Sequence, residues 1–467
     1  RSNLVIQNLI DPDVIFDFQG ALDAASLAGL YPVKEIGELS GKLFTDISFE
    51  GKLSWLKSKE TAQRASTTGV IEMKNLNFLY GTARLPIKNL NGTLQFNNND
   101  LALSNVSVQA GNSDFVFNGF FKNIITFLLF ENQPIGIEAD LKSNFLDMDE
   151  LFSLGFSADD SKPHEYEFSI SPNVHLNFNC DIQSLRYKRF TARKLQGDLL
   201  VKNEVAVTRG INLKTMGGDL SLSGIADAKN HKAIDILTTA KLNGIHLDSV
   251  FYVFKNFNQT FIEDKHLKGL TTADVSFELT LNEKLKLFPE TLIADISTVI
   301  KNGELNNFEP MKSLNKYLDD EGLSKLRFAD LKNDIHIEDK TIFIPQMEVR
   351  SNVTTIQISG THTFDQQIDY RIISPLRNKN KINVTEAGSA LEEQGGQMKL
   401  FLKITGTTDN YRVQYDTEAM KKKIAGDLKK EVQELKDAFK NKGKKKKKEL
   451  ELEKDDYFDW EEDNKDQ

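Results

Sequence analysis

The chain has 467 residues, of which 39% are hydrophobic and 27% charged, with a formal net charge of -9. That balance excludes a dedicated nucleic-acid binder, which would be basic across a whole face. A lone cysteine, Cys180, excludes an intramolecular disulfide and a cysteine-based zinc site.

Strand signals begin at once. Val14, Phe16 and Phe18 alternate with polar residues, and the same period of two recurs along most of the chain to about residue 416. At Leu90-x-Gly92-x-Leu94-x-Phe96 a strand opens that is answered by Leu101-x-Leu103 and closed by Phe115-x-Phe117-x-Gly119. A second copy runs from Leu195-x-Gly197-x-Leu199-x-Val201 to Leu220-x-Leu222-x-Gly224. The third runs from Leu331-x-Asn333-x-Ile335-x-Ile337, through Ile342-x-Ile344, to Ile356-x-Ile358-x-Gly360. In each copy the closing glycine follows the third residue of the opening strand by 27 positions. Repeat units are therefore expected near 88–119, 193–224 and 329–360, within one β domain spanning 1–416. Periodic β units stack into an elongated body rather than a globule around a pocket. Gly119, Gly224 and Gly360 are expected either to end strands at bulges or to set the bend of the sheet.

Asn/Asp/Gly/Lys clusters such as 97–100 and Asp339-Lys340 read as hairpin turns, so successive strands should pair as an antiparallel meander. Short helices are expected at Phe120–Phe130, as a buried covering segment, and at Leu141–Phe152, Ala240–Phe251 and Glu309–Leu318. Asp149 and Asp248 are candidate N-caps. No run approaches the length needed to span a bilayer. The opening at Arg1 without a methionine suggests a fragment whose anchor or export signal would lie upstream.

Beyond residue 416 the texture changes. Ile424, Leu428, Val432, Leu435 and Phe439 follow a helical period, predicting an amphipathic helix over 417–443. Residues 421–448 hold thirteen lysines against four acids, and residues 449–467 hold ten acids against two lysines. The segment 444–467 reads as a disordered charged tail. Its Tyr457, Phe458 and Trp460 are candidates for docking a protein partner.

Catalytic chemistry is not evident. The seven histidines are scattered with no metal-ligand spacing, and His336 and His362 are expected at exposed strand positions. There is no nucleophile elbow, phosphate loop or His-Glu-x-x-His. No enzyme activity, metal or cofactor is expected, and no carboxylate pair stands out for a carbohydrate-active enzyme on a β-solenoid. The decision rests on the apolar strand face. It is formed by Leu94, Phe96, Leu101, Leu103, Phe115, Phe117, Leu199, Val201, Leu220, Leu222, Ile335, Ile337, Ile342, Ile344, Ile356 and Ile358. In a sandwich this face would pack on a second sheet; in a single curved sheet it would line an open groove and need an apolar ligand. Periodicity alone leaves both open.

The stretch from Ile296 to Leu376 resembles the C-terminal region of the AsmA family. The resemblance is carried by Val299-Ile-Lys-Asn-Gly303-Glu-Leu, Met311-Lys-Ser-Leu314, Leu326-Arg-Phe328-Ala-Asp-Leu331, Ile335-His-Ile, Ile342-Phe-Ile and Ile356-Gln-Ile-Ser-Gly360. The earlier copies resemble the same family's repeating strands. The resemblance implies a periplasmic protein of a diderm bacterium, anchored in the inner membrane by an N-terminal helix outside this chain. It implies a long curved β-groove that carries phospholipid acyl chains between the two membranes and supports outer-membrane integrity, as in the bridge-like lipid-transfer proteins. In one branch, similar to TamB, it implies a role in assembling outer-membrane proteins. The C-terminal tail, which the family pattern does not explain, would reach an outer-membrane partner, with the 417–443 helix seated on the groove mouth.

Overall fold

In the computed structural model the described residues are 1–26, 36–57, 61, 64–81, 84–153, 168–314, 324–375, 391–394 and 397–419. The strands in chain order are β1 (Ser2–Gln7), β2 (Asp13–Asp23), β3 (Ile36–Lys52), β4 (Ser66–Tyr80), β5 (Leu85–Asn97), β6 (Asp100–Ala110), β7 (Ser113–Lys122) and β8 (Ile135–Ser143). There follow β9 (Leu146–Asp147), β10 (Val174–Tyr187), β11 (Phe190–Lys202), β12 (Val205–Thr215), β13 (Gly218–Asp227), β14 (Ile234–His246), β15 (Leu267–Leu281) and β16 (Ile293–Asn306). The last are β17 (Lys325–Glu338), β18 (Thr341–Arg350), β19 (Thr355–Thr363), β20 (Gln367–Pro375), β21 (Leu391–Gln394), β22 (Gln397–Thr407) and β23 (Tyr411–Tyr415). All belong to one long, open, curved sheet. No second sheet packs on it, so the sandwich is ruled out for the described residues.

Neighbours in sequence are neighbours in the sheet, paired antiparallel through hairpins such as Asn97↔Asp100. Asp339 and Lys340 turn the β17–β18 hairpin with positive φ (49° and 58°), as a two-residue turn that matches strand twist requires. The short β21 pairs only with β22, so β20 meets β22 directly, and the meander has one parallel exception. β10 runs parallel to β8, from Val174↔Ile135 to Ile182↔Ser143.

The repeat explains that exception. Each closing glycine lies opposite the last residue before a bulge in the preceding strand: Leu103↔Gly119, Thr208↔Gly224 and Ile344↔Gly360. The expected bulges are thus present, on the strand beside each glycine. A Cβ on Gly119 would stand 2.9 Å from the Glu138 carbonyl, and one on Gly224 would stand 2.7 Å from Thr238 Oγ1. Neither position has room for a side chain. Aligned on these glycines, β11 to β17 of the second unit comprises β12 to β16, whereas β5 to β11 of the first comprises β6, β7, β8 with its short extension β9, and β10. The first unit lacks the equivalent of β15. Removing one strand from an antiparallel meander leaves its two neighbours pointing the same way, which is the β8–β10 pairing.

Four short helices differ from expectation. α1 (Ile124–Leu129) is not buried: only Thr126 is, while Leu128 is 69% exposed. The similar segments at 141–152 and 240–251 are strand in their first halves and helix only over α2 (Met148–Ser153) and α3 (Leu247–Val253). Asp149 and Asp248 lie inside the first turn of their helices rather than at the N-cap. Asp147 takes the capping role at α2, accepting from the Glu150 amide, and its buried carboxylate also pairs with Arg186. α4 (Glu309–Ser313) is shorter than expected, and residues 315–318 lie outside the described residues.

The alternating chain gives the sheet two long rims. The β1–β2, β3–β4, β5–β6 and β15–β16 turns lie on the rim with α1. The β6–β7, β10–β11 and β12–β13 turns lie on the opposite rim with α2, α3 and α4.

Candidate functional site

Residues directly opposite in neighbouring strands share a face of the sheet, as do residues two apart within a strand. One row of opposed residues runs Phe96–Leu101–Phe121–Ile137–Leu176–Val201 across β5 to β11. From Val201 it continues through Ala206, Ala226 and Ile236 to Leu279 on β15. A second row runs from Gly224 through Thr238, Phe277, Ala294, Ile337, Ile342 and His362 to Ile368. By these rows and the two-residue period, all sixteen apolar positions expected from the sequence lie on one face. The bulges beside the closing glycines do not invert it, because each bulged strand only shifts its own alternation by one: Val106, Ile211 and Met347 resume pairing with Phe117, Leu222 and Ile358 on the same face.

Along β5 to β15 this face is mostly half-buried, as at Leu94, Phe96, Phe115, Phe117, Leu199, Leu220 and Leu222, and no described residues form a covering layer. The opposite face is polar. Across β14 to β17 it presents Lys241, Asp274, Ser297 and Asp334 in one row and Thr239, Ser276, Asp295 and His336 in the next. Acids alternate with hydroxyls, so like charges do not oppose one another. Among the described residues no group of three or more His, Cys, Asp or Glu is placed to hold a metal.

Two histidine expectations are overturned. The His336 side chain is largely buried on the polar face, with Nδ1 2.8 Å from Asp295 Oδ1 and its ring beside Phe343. His362 lies on the apolar face, where burial holds its pKa below the usual histidine value. Counting back by twos from His362 through Gly360 to Ile358 gives its face directly.

The apolar face is open along its length but sealed at its C-terminal end. Ile356, Ile368, Tyr370, Ile372, Leu400, Leu402 and Ile404 form a buried cluster. The cover comes from the α3 rim. Phe261 arrives from the β14–β15 connection, and Phe308, Met311 and the fully buried Leu314 arrive from α4 and its flanks. Phe261 meets Phe308 edge-on at 4.9 Å, and His362 and Tyr411 edge-on at 5.6 and 6.5 Å. The plug is organised by its own side chains: Gln259 Oε1 accepts from the amides of Phe261 (2.6 Å) and Ile262 (2.9 Å). Ile344, Ile356 and Ile358 therefore pack against a closed core rather than line open groove. Nothing in the polar text around Phe261 (Asn258-Gln-Thr-Phe261) signals this role.

The C-terminal expectations fall mostly outside the described residues, including Tyr457, Phe458, Trp460 and all of the 417–443 helix after Ala419. The part that is described starts away from the groove. Asp416 caps the first turn by accepting from the Ala419 amide (3.0 Å), and Ala419 packs on Phe401. Phe401 lies between the groove-facing Leu400 and Leu402 and so belongs to the other face. No described helix is long and apolar enough to cross a membrane. Comparison of the chain with known protein families, curated proteins and solved structures gives no match.

Proposed function

We propose that this chain is a conduit for phospholipid acyl chains, of the kind its resemblance to the AsmA family implies, working in the periplasm from an inner-membrane anchor and supporting the outer membrane. The observation that carries this reading is the open, mostly half-buried apolar face along β5 to β15. A contiguous open apolar face of this kind marks an interaction surface or a ligand-binding groove. Each acyl CH₂ moved from water onto such a face gains up to about 0.8 kcal/mol. Near-equivalent sites in successive strands let a chain slide without a deep trap, while the headgroup stays at the wet opening. Transfer of this kind makes and breaks no covalent bond.

A second reading, a TamB-like assembly factor for outer-membrane proteins, is favoured by one feature. β1 is an edge strand whose Leu4 and Ile6 are at least half exposed, a template on which another strand could add.

Native mass spectrometry of the purified chain distinguishes the readings. Co-purifying phospholipid, displaced by detergent, is expected. A lipid-free chain that instead retains unfolded β-barrel segments would replace the conduit with the assembly factor.

A further inference from the structure

The sealed end raises the question of where a lipid enters or leaves, and the rim beside the plug offers a surface for it. The connection that delivers Phe261 begins with three aromatic side chains turned to solvent: Tyr252, Phe254 and Phe257 are 50%, 53% and 56% exposed. Phe254 and Phe257 stack at 5.6 Å with planes 11° apart, and Phe251 supports Phe257 edge-on at 5.3 Å.

The backbone holds this pair out against its own preference. Lys255, Asn256 and Phe257 are consecutive left-handed residues (φ 51°, 54° and 54°). That conformation is strained for Lys255 and Phe257, which carry a Cβ and no local polar compensation, and Phe257 gains little burial in return. Strain of this kind persists where the surroundings impose it and clusters at functional sites.

The neighbouring turn adds cations. The β10–β11 hairpin presents Tyr187, Lys188 and Arg189. The Arg189 guanidinium lies 4.7 Å over the Tyr252 ring, and Nη1 donates to the Tyr252 carbonyl at 3.0 Å. The Lys188 ammonium lies 4.8 Å over the Tyr187 ring. Lys255 adds a third positive charge within the strained turn. Among the acids nearby, Asp149 accepts from the Lys188 amide at 2.7 Å and Asp147 pairs with Arg186, while Asp248 on α3 and Asp264, whose amide donates to Asn256, offset part of the positive charge.

We propose that this aromatic and cationic patch docks the α3 rim on an anionic lipid bilayer, making it the place where lipid passes between membrane and groove. The proposal rests on the conduit reading for the passage of lipid, though not for the docking itself. Tyrosine and phenylalanine beside lysine and arginine suit the depth at which a bilayer changes from headgroup to acyl chain. Each cation near an anionic surface adds to the attraction. The patch lies on turns at a rim and sets exposed aromatic rings beside cations, a pairing that favours a membrane over a protein. The same connection carries the plug, so lipid crossing the rim here meets the apolar track where it closes.

The test is flotation of the full chain with vesicles of phosphatidylglycerol and phosphatidylcholine against phosphatidylcholine alone. Binding to the anionic vesicles is expected. It should fall about tenfold or more in the double variant Phe254→Ser/Phe257→Ser and in Lys188→Glu/Arg189→Glu. The double variant Leu128→Ser/Leu129→Ser, at exposed positions on the opposite rim, should bind as the parent does. Circular dichroism confirms that each variant keeps its β structure; the altered side chains are all exposed. Failure to float, equal binding to neutral vesicles, or unchanged binding by Phe254→Ser/Phe257→Ser overturns the proposal, and the first outcome leaves a protein partner for the patch. Lipid retained in the docking variants by native mass spectrometry keeps the groove separate from the dock. A parent chain that floats but holds no lipid removes the conduit and leaves the docking intact.

Discussion

Phe261 lies parallel to Tyr370 in an offset stack, their ring centroids 6.0 Å apart and their planes 5° from parallel, although one belongs to the β14–β15 connection and the other to β20. The contact folds a rim loop across the sheet and ends the open part of the apolar face. Truncation at this point should be costly. Phe261→Ala, a change at a residue 6% exposed, is expected to lower stability by about 3 kcal/mol. Equilibrium denaturation followed by tyrosine fluorescence would measure it, and a loss below about 1 kcal/mol would mean that the loop rests on the sheet without sealing it.

The sealed end should weaken in acid. Burial lowers the pKa of His362 and, together with Lys265, that of His266. The unfolded chain then binds protons that the folded chain resists, so stability is full above the ordinary histidine pKa of 6.5 and falls as the pH drops below it. Denaturation midpoints on either side of that value should differ, and His362→Phe should reduce the difference. An unchanged pH dependence in that variant would place the titration elsewhere.

Cys180 offers a reporter at the middle of the groove. It lies on the apolar face opposite Leu141 and Gly197, and burial pushes its thiol pKa up. Alkylation should be slower than for an exposed cysteine, because less thiolate is present. Stripping the chain with detergent and removing the detergent should accelerate labelling, and adding phospholipid should slow it again. A rate indifferent to lipid would argue that acyl chains do not reach β10.

Charge on the face should separate its open and closed parts. Phe117→Asp and Leu222→Asp place a carboxylate on half-buried positions, where water reaches it, and should fold while losing bound lipid. Leu400→Asp buries the charge in the sealed cluster, where the parent side chain is 0% exposed, and should fail to fold. Soluble expression together with native mass spectrometry decides each case, and lipid retained by a folded Phe117→Asp chain would count against the conduit.

The sequence made the open sheet easy to read in some places and opaque in others. Face and repeat were legible because period-two alternation is local: Leu94, Phe96, Leu101 and Leu103 declare one side wherever the strands go. The recurring glycines marked real bulges because a missing Cβ is a local requirement as well. The parallel pairing of β10 with β8 was not legible, since it follows from a strand that is absent from the first unit. The sealed end was hidden for a different reason. Phe261 sits in polar text and gains its meaning only from Tyr370 and Phe308, which reach it through the curvature of the sheet. His362 was misplaced although its own strand gives the answer, because a polar residue was assumed to face water.

The parallel β8–β10 pair governs how a ribbon of this kind can change length. Trimming or adding a whole hairpin alters the strand number by two and leaves every later turn on its original rim. Losing a single strand would reverse the direction of all that follows, carrying α3, the plug and the bulged hairpins to the other side. Here the chain leaves β8 and α2 on one rim and re-enters at Val174 on the other, so the later units keep their phase. Single-strand edits are therefore compatible with an unchanged groove only where the connection is long enough to run the length of a strand, and relatives of this protein should differ by strand pairs everywhere else.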